Sequence, residues 1–182
     1  MRALFLCLVV VGCKQPDPPA VTAPWTDSFD RASVGPDYLP TSDRYRITGG
    51  RLYVSQSYNH PLWLRKKLPE HATLELDCTS QSKSGDIKVE VWGDGESYAQ
   101  NKGAYASTGY VFIQGGWNNS KSEIAVGDEH LPDLPSRTSP RVEVGRTYHW
   151  KIVRQKDRID WYVDDMNAVA TTEILFKLLP EL

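Results

Sequence analysis

The chain has 182 residues, with 21 Lys and Arg against 23 Asp and Glu, and its formal charge of -2 gives it no general attraction for nucleic acid. Its three cysteines exclude the disulfide framework of a small exported domain: Cys7 lies in an apolar leader, Cys13 closes that leader, and Cys78 is left without a partner. Stability must come from a hydrophobic core, and the length suffices for one domain that has one.

Met1 and Arg2 form a minimal positive start, and Ala3 to Val11 an apolar run. As a helix that run covers about 14 Å, against a hydrocarbon layer roughly 30 Å thick, so residues 1–12 read as a secretion signal and not as a span. Val10, Val11, Gly12 and Cys13 resemble a bacterial lipobox, which implies lipidation of Cys13 and loss of everything before it. An ordinary signal peptide with an incidental Cys is the alternative. Lys14, where Asp would retain the product at the inner membrane by analogy with Gram-negative sorting, points to the outer membrane. The expected address is the bacterial cell envelope, with the lipid as the only membrane contact. Residues 13–24 carry four prolines among polar residues and read as an extended tether.

From Trp25 the chain becomes a succession of short β-like runs with no helical period. Thr73 to Thr79 alternates, with Leu74, Leu76 and Cys78 inward, and Asp86 to Trp92 repeats this with Ile87, Val89 and Val91. Tyr148, Trp150 and Ile152 share one face of a later run, and Ile159, Trp161 and Val163 one face of the next. Turn residues fall between them at Gly49 and Gly50, Lys83 to Gly85, Gly93 to Gly95, and Gln155 to Asp157. Gly109 to His130 compresses an aromatic strand, a Gly-Gly break, a Trp-Asn-Asn turn and a second strand into one hairpin with something displayed at its turn. An all-β antiparallel sandwich follows.

Several of these segments, in order, carry a resemblance: Ser28 to Asp30, Gly50 to Tyr53, Pro61 to Leu64, Gly85 to Glu90, Tyr110 to Asn119, Asp128 to His130, Tyr148 to Arg154 and Trp161 to Asp165. Together they resemble the concanavalin A-like lectin and glucanase superfamily, in particular bacterial laminin-G-like domains. The resemblance implies a jelly-roll sandwich over residues 25–167, and a function among lectins, glycanases, lyases and adhesion domains. Similar domains continue through two more strands. Here residues 168–182 diverge into AVATTEILFKLLPEL, a weakly helical tail, so the sandwich is expected to lack its last strands through truncation or frameshift, leaving an exposed edge. A divergent closing strand is the alternative.

No catalytic residue stands out. Glu75 and Asp77 alternate as glycanase acids do, but Thr79 stands where a third acid belongs, so a solvated strand face is favoured. The alternation of Asp86, Lys88 and Glu90 suggests cross-strand ion pairing. Asp128, Glu129 and His130 suit polar contacts to a ligand if a loop converges them. The histidines show no metal spacing, and no cofactor is expected. Gly93 to Glu96 offers oxygen ligands for structural calcium but lacks the repeated acids of a calcium loop, so a hairpin turn is favoured.

Parity sorts the six tryptophans. Trp150 and Trp161 fall on core faces, whereas Trp92 shares the face of Lys88 and Glu90, and Trp63 that of Arg65. Trp63, Trp92 and Trp117 are therefore expected to form a sugar-binding surface together with Gln114, Asn118, Asn119, Glu129 and His130. The alternative is that these rings cover the protein's own loops. The expected function is a lipid-anchored module binding a glycan or another surface ligand; a polysaccharide-active hydrolase or lyase, and a structural envelope protein, are the competing readings.

Overall fold

The computed structural model describes residues 17–100, 103 and 105–164, together with the backbone of 170–173. The signal segment, Cys13 and the tail beyond Glu173 lie outside the described residues. In chain order the strands are β1 (Tyr38–Pro40), β2 (Tyr45–Thr48), β3 (Arg51–Val54), β4 (Leu62–Leu64), β5 (Ala72–Thr79) and β6 (Ile87–Val91), followed by β7 (Ala106–Gly115), β8 (Lys121–Asp128), β9 (Ser136–Arg137), β10 (Thr147–Gln155), β11 (Arg158–Val163) and β12 (Ala170–Glu173). Two four-stranded sheets, β12-β11-β10-β5 and β6-β7-β8-β9, make an antiparallel β-sandwich, accompanied by the ribbons β1-β4 and β2-β3.

The alternation in the sequence produces the core directly. Tyr148, Trp150, Ile152, Ile159, Trp161 and Val163 project from one sheet against Val91, Tyr110, Phe112 and Ile124 from the other. Trp161 packs edge-on against Trp150, with centroids 4.7 Å apart, and against Phe112 at 5.7 Å. Cys78 packs against this core, and burial pushes its thiol up to about 12, so it is an inert filler and no nucleophile. On the solvent side of the same sheet Glu75 lies opposite Lys151, and Asp77 bonds His149 Nδ1 at 2.9 Å, which uses these acids as surface pairs. Gly49 and Gly50, both left-handed, close β2 onto β3.

Asp27 anchors the beginning of the domain. Its carboxylate accepts two bonds from Arg31, one from Tyr38 Oη and one from Phe29 N, and the Arg31 guanidinium holds it far below the usual carboxylate range. Inside the Pro-rich segment, Val21 N and Lys67 N bond the carbonyls of Lys67 and Pro19 at 2.9 Å, which docks the last part of that segment on the domain.

Three expectations are corrected. The chain after Asn167 does not leave the β11 edge open: β12 pairs with it from Arg158 opposite Glu173 to Trp161 opposite Ala170. The β-branched pair Thr171 and Thr172 suits that strand, which becomes the edge of its sheet. Asp94 and Gly95 do not form a tight hairpin turn. They lie in the long connection between β6 and β7, where the Asp94 carboxylate accepts from Glu96 N, Ser97 N and Ser97 Oγ. The expected cross-strand ion pairing holds for Lys88, which reaches Glu129 at 2.9 Å, but not for Glu90, which accepts from the backbone N–H groups of Thr108 and Gly109 at 3.2 and 3.1 Å, within the stretch where β7 slips its register against β8. A bulge leaves donors without ladder partners, and this half-buried carboxylate accepts from them.

Candidate functional site

Along β7, alternation sends Tyr110 and Phe112 into the sandwich and Val111 and Ile113 to the opposite face. That second face is covered as well: Val111, Ile113, Ala125 and Tyr105 form a smaller core under Tyr98, Trp117 and Leu134. Register places Lys88, Ile113 and Glu123 in one row across the sheet and Glu90, Val111 and Ala125 in the next. Charged side chains therefore flank an apolar strip beneath loops. Glu123 is 0 % exposed; its Oε2 bonds Lys121 Nζ at 2.6 Å, and its Oε1 has no partner. Burial raises its proton affinity, as it does that of Glu90.

The turn between β7 and β8 is a left-handed knuckle. Trp117, Asn118 and Asn119 have φ of 50, 58 and 61, a conformation that Asn tolerates and that costs an aromatic residue about 1 to 2 kcal/mol. Surrounding bonds hold it there. Asn119 Oδ1 accepts from Val142 N at 2.8 Å, and its Nδ2 donates to Val142 O at 2.7 Å. Asp86 N donates to Gly115 O at 2.9 Å. The approach is close enough that a Cβ at Gly85 would stand 2.5 Å from that same oxygen, so glycine is required there.

The knuckle closes one end of a groove of about 290 Å³, lined by Trp117, Asn118, Glu129 and His130 with Ser84, Asp86 and Lys88. Glu129 is 7 % exposed and accepts from Lys88 Nζ at 2.9 Å and from Tyr105 N at 3.1 Å. Burial pulls the Lys88 ammonium down, but the bond to Glu129 and the nearby Asp86 carboxylate outweigh it, and the net shift is upward. His130 stands edge-on to Trp117, with centroids 5.9 Å apart. The groove thus presents acceptors, donors and an aromatic edge within one rigid frame. Among the described residues no group of three or more His, Cys, Asp or Glu could hold a metal ion.

Of the residues singled out from sequence, Trp117, Asn118, Glu129 and His130 come together, and Asp128 caps the turn by accepting from His130 N at 2.8 Å. Four do not join them. Trp63 is only 8 % exposed: β4 reads Leu-Trp-Leu, apolar on both sides, and pairing with β1 turns the indole inward. Trp92 has φ 58 just beyond β6, so strand parity no longer governs it. Its ring packs on the main core, its Nε1 donates to Pro69 O at 3.0 Å, and Arg154 stacks on it. Gln114 is fully buried and accepts from Trp150 Nε1 at 2.7 Å. Asn119 spends its carboxamide on Val142. Nor is Trp117 a bare platform, because Lys121 Nζ lies 3.9 Å from its ring centroid.

Comparison with solved structures decides the fold. Carbohydrate-binding module CBM66 from Bacillus subtilis matches with a TM-score of 0.57 at 14% identity, over 78% of this chain and 81% of that one. The chain shares its fold with a carbohydrate-binding module. A chain from a structure of endo-acting O-glycanases of the human gut microbiota aligns with a TM-score of 0.49 at 11% identity, over 82% and 74%. No protein-family profile matches the chain, and no curated protein matches it in sequence.

Sequence reasoning missed Lys121 and Glu123, and took Asp86 and Lys88 for cross-strand ion pairing and not for part of a groove. A signal was present. Lys121 and Glu123 alternate on β8 as Asp86 and Lys88 do at β6, and both pairs flank a β7 face made of Val111 and Ile113. An apolar strip on a supposedly solvated face means that loops cover it.

Proposed function

We propose that this protein is a lipid-anchored, glycan-binding module of the bacterial envelope, with the groove under Trp117 as its ligand site. One observation carries the reading: an indole edge, an exposed carboxamide, an imidazole and a carboxylate–ammonium pair converge on one groove of a rigid sandwich. Sugar hydroxyls both donate and accept, and sugar C–H faces are apolar, so recognition needs acceptors, donors and an aromatic surface together. The fold shared with a carbohydrate-binding module and the resemblance to concanavalin A-like domains support it. A glycan array probed with the full chain in mild detergent tests it, followed by titration of whatever binds. Trp117→Ala is expected to weaken binding by about 2 kcal/mol, roughly 30-fold in Kd, with a smaller fall in melting temperature than loss of a fully buried ring brings, since the indole only partly covers the second core. Undiminished affinity in that variant, or silence across the array, would remove the groove as the site.

Anchoring rests on the lipobox-like Val10 to Cys13. Cells expressing the chain are expected to incorporate labelled palmitate into it, and Cys13→Ser to abolish the label; label that persists in the variant sinks the anchor. A second reading, hydrolysis or lysis of a polysaccharide, is favoured by Glu123, a buried acid with raised proton affinity and one unpartnered oxygen, close enough to Glu129 to feel its charge. Reducing-sugar release from a bound glycan decides for the enzyme, and binding without release decides for the module.

A further inference from the structure

Beside the groove lies a second, larger depression of about 570 Å³, lined by Lys121, Ser136, Arg137, Thr138 and Ser139. We infer that it is an anion subsite, and that the glycan taken by this protein is acidic, bearing carboxylate or sulfate groups; this rests on the proposed glycan-binding role of the groove.

The two depressions adjoin. Lys121 lines one, Trp117 lines the other, and the ammonium sits 3.9 Å from the ring centroid between them. A chain of sugars crossing the Trp117 groove therefore reaches Lys121 next and Arg137 after it. Both line the second depression, at the sheet edge where β9 pairs with β8 and Ser136 stands opposite Glu123.

Charge in this region is divided by depth. Two of its acids are sunk, Glu123 at 0 % and Glu129 at 7 % exposure, each bonded to a lysine, while the exposed Asp86, which lines the groove, is paired with Lys88. Its free cations are outside. Arg137 is exposed and has no carboxylate partner among the described residues, and the same holds for Lys83 and Arg141, which flank the two segments clamped by Asn119. The chain as a whole is slightly acidic, so a depression whose exposed cation has no carboxylate partner is a local feature and not a reflection of composition. A guanidinium amid three hydroxyl side chains offers a forked donor set for a planar carboxylate or a sulfate, with Ser136, Thr138 and Ser139 able to bond the remaining oxygens. A neutral glycan offers that fork only uncharged hydroxyl oxygens, without the gain of a charge-assisted bond.

The experiment titrates the full chain with polygalacturonate, chondroitin sulfate, a neutral β-glucan and polyuridylate, at low and at high salt. The expected result is tighter binding of at least one acidic glycan than of the neutral glucan, with the difference shrinking in high salt. Arg137→Gln, which leaves the backbone pairing of β9 intact, is expected to weaken acidic-glycan binding by about tenfold at an unchanged melting temperature, as loss of a charge-assisted forked contact does. Equal affinity for neutral and acidic glycans, or an Arg137→Gln variant that binds acidic glycans as well as the parent, overturns the subsite and leaves the groove standing. Polyuridylate binding as tight as the acidic glycans also overturns it, since the site then reads charge alone. Acidic-glycan binding that depends on Arg137 but not on Trp117 overturns the groove and keeps the subsite.

Discussion

Trp161→Ala is expected to cost about 3 to 5 kcal/mol, a fall of roughly 10 °C or more in melting temperature for a domain of this size. The indole is fully buried between the sheets, edge-on to Trp150 at 4.7 Å and to Phe112 at 5.7 Å, so its removal opens a cavity that two ordered sheets cannot collapse to fill. The chemistry of the ring sharpens the expectation. Trp161 Nε1 has no partner, so Trp161→Phe gives up volume but no hydrogen bond and should cost less than half as much as the alanine variant. Trp150→Phe differs, because it strands the buried Gln114 Oε1, which accepts from Trp150 Nε1 at 2.7 Å. Denaturant unfolding monitored by circular dichroism reads all three. A Trp161→Ala variant that unfolds at the parent's midpoint would mean that the sheets do not meet at this residue.

Asn119→Ala is expected to cost about 2 to 4 kcal/mol, a large effect for a residue in a half-exposed turn. Its carboxamide imitates a backbone pair, accepting from Val142 N at 2.8 Å and donating to Val142 O at 2.7 Å. Val142 itself is a core residue, 4 % exposed, so truncation leaves one donor and one acceptor short of partners beside the core. The same clamp holds the left-handed backbone of Trp117 and Asn118. Its loss should also lower glycan affinity, although Asn119 touches no ligand in this reading. Asn119→Asp separates the two bonds: it keeps the acceptor toward Val142 N and sets a carboxylate oxygen against Val142 O, so it should be no more stable than the alanine variant. Equal stability of parent and Asn119→Ala would show that Val142 finds other partners and that the knuckle does not depend on the clamp.

Much of the fold was legible because strand parity is local. Leu74, Leu76 and Cys78, the trio from Tyr148 to Ile152, and the trio from Ile159 to Val163 all face inward as their alternation indicates, since a pleated strand must send successive side chains to opposite sides. The hairpin from β7 to β8 was legible for the same reason, but parity does not say that Glu129 and His130, beyond its far end, come back to Trp117 and Asn118 at its turn.

Parity failed where the chain leaves the strand. Trp92 follows β6 in a left-handed conformation, and Trp63 lies in a three-residue strand with apolar neighbours on both sides, so neither ring could be assigned a face by counting. Asn119 reads as a displayed carboxamide until Val142, 23 residues away, is seen to occupy it. Nothing in the alternation marks Glu123 as buried, because the residues Trp117, Tyr98 and Leu134 that cover its face come from other parts of the chain. The sandwich, its core faces and the hairpin that carries the groove follow from alternation within each strand, and so can be read along the chain. Tertiary structure alone decided which aromatic rings are available, which acids are buried and where unpaired cations gather, because burial and pairing depend on which distant segment packs on a residue, and a period-two pattern carries no information about that.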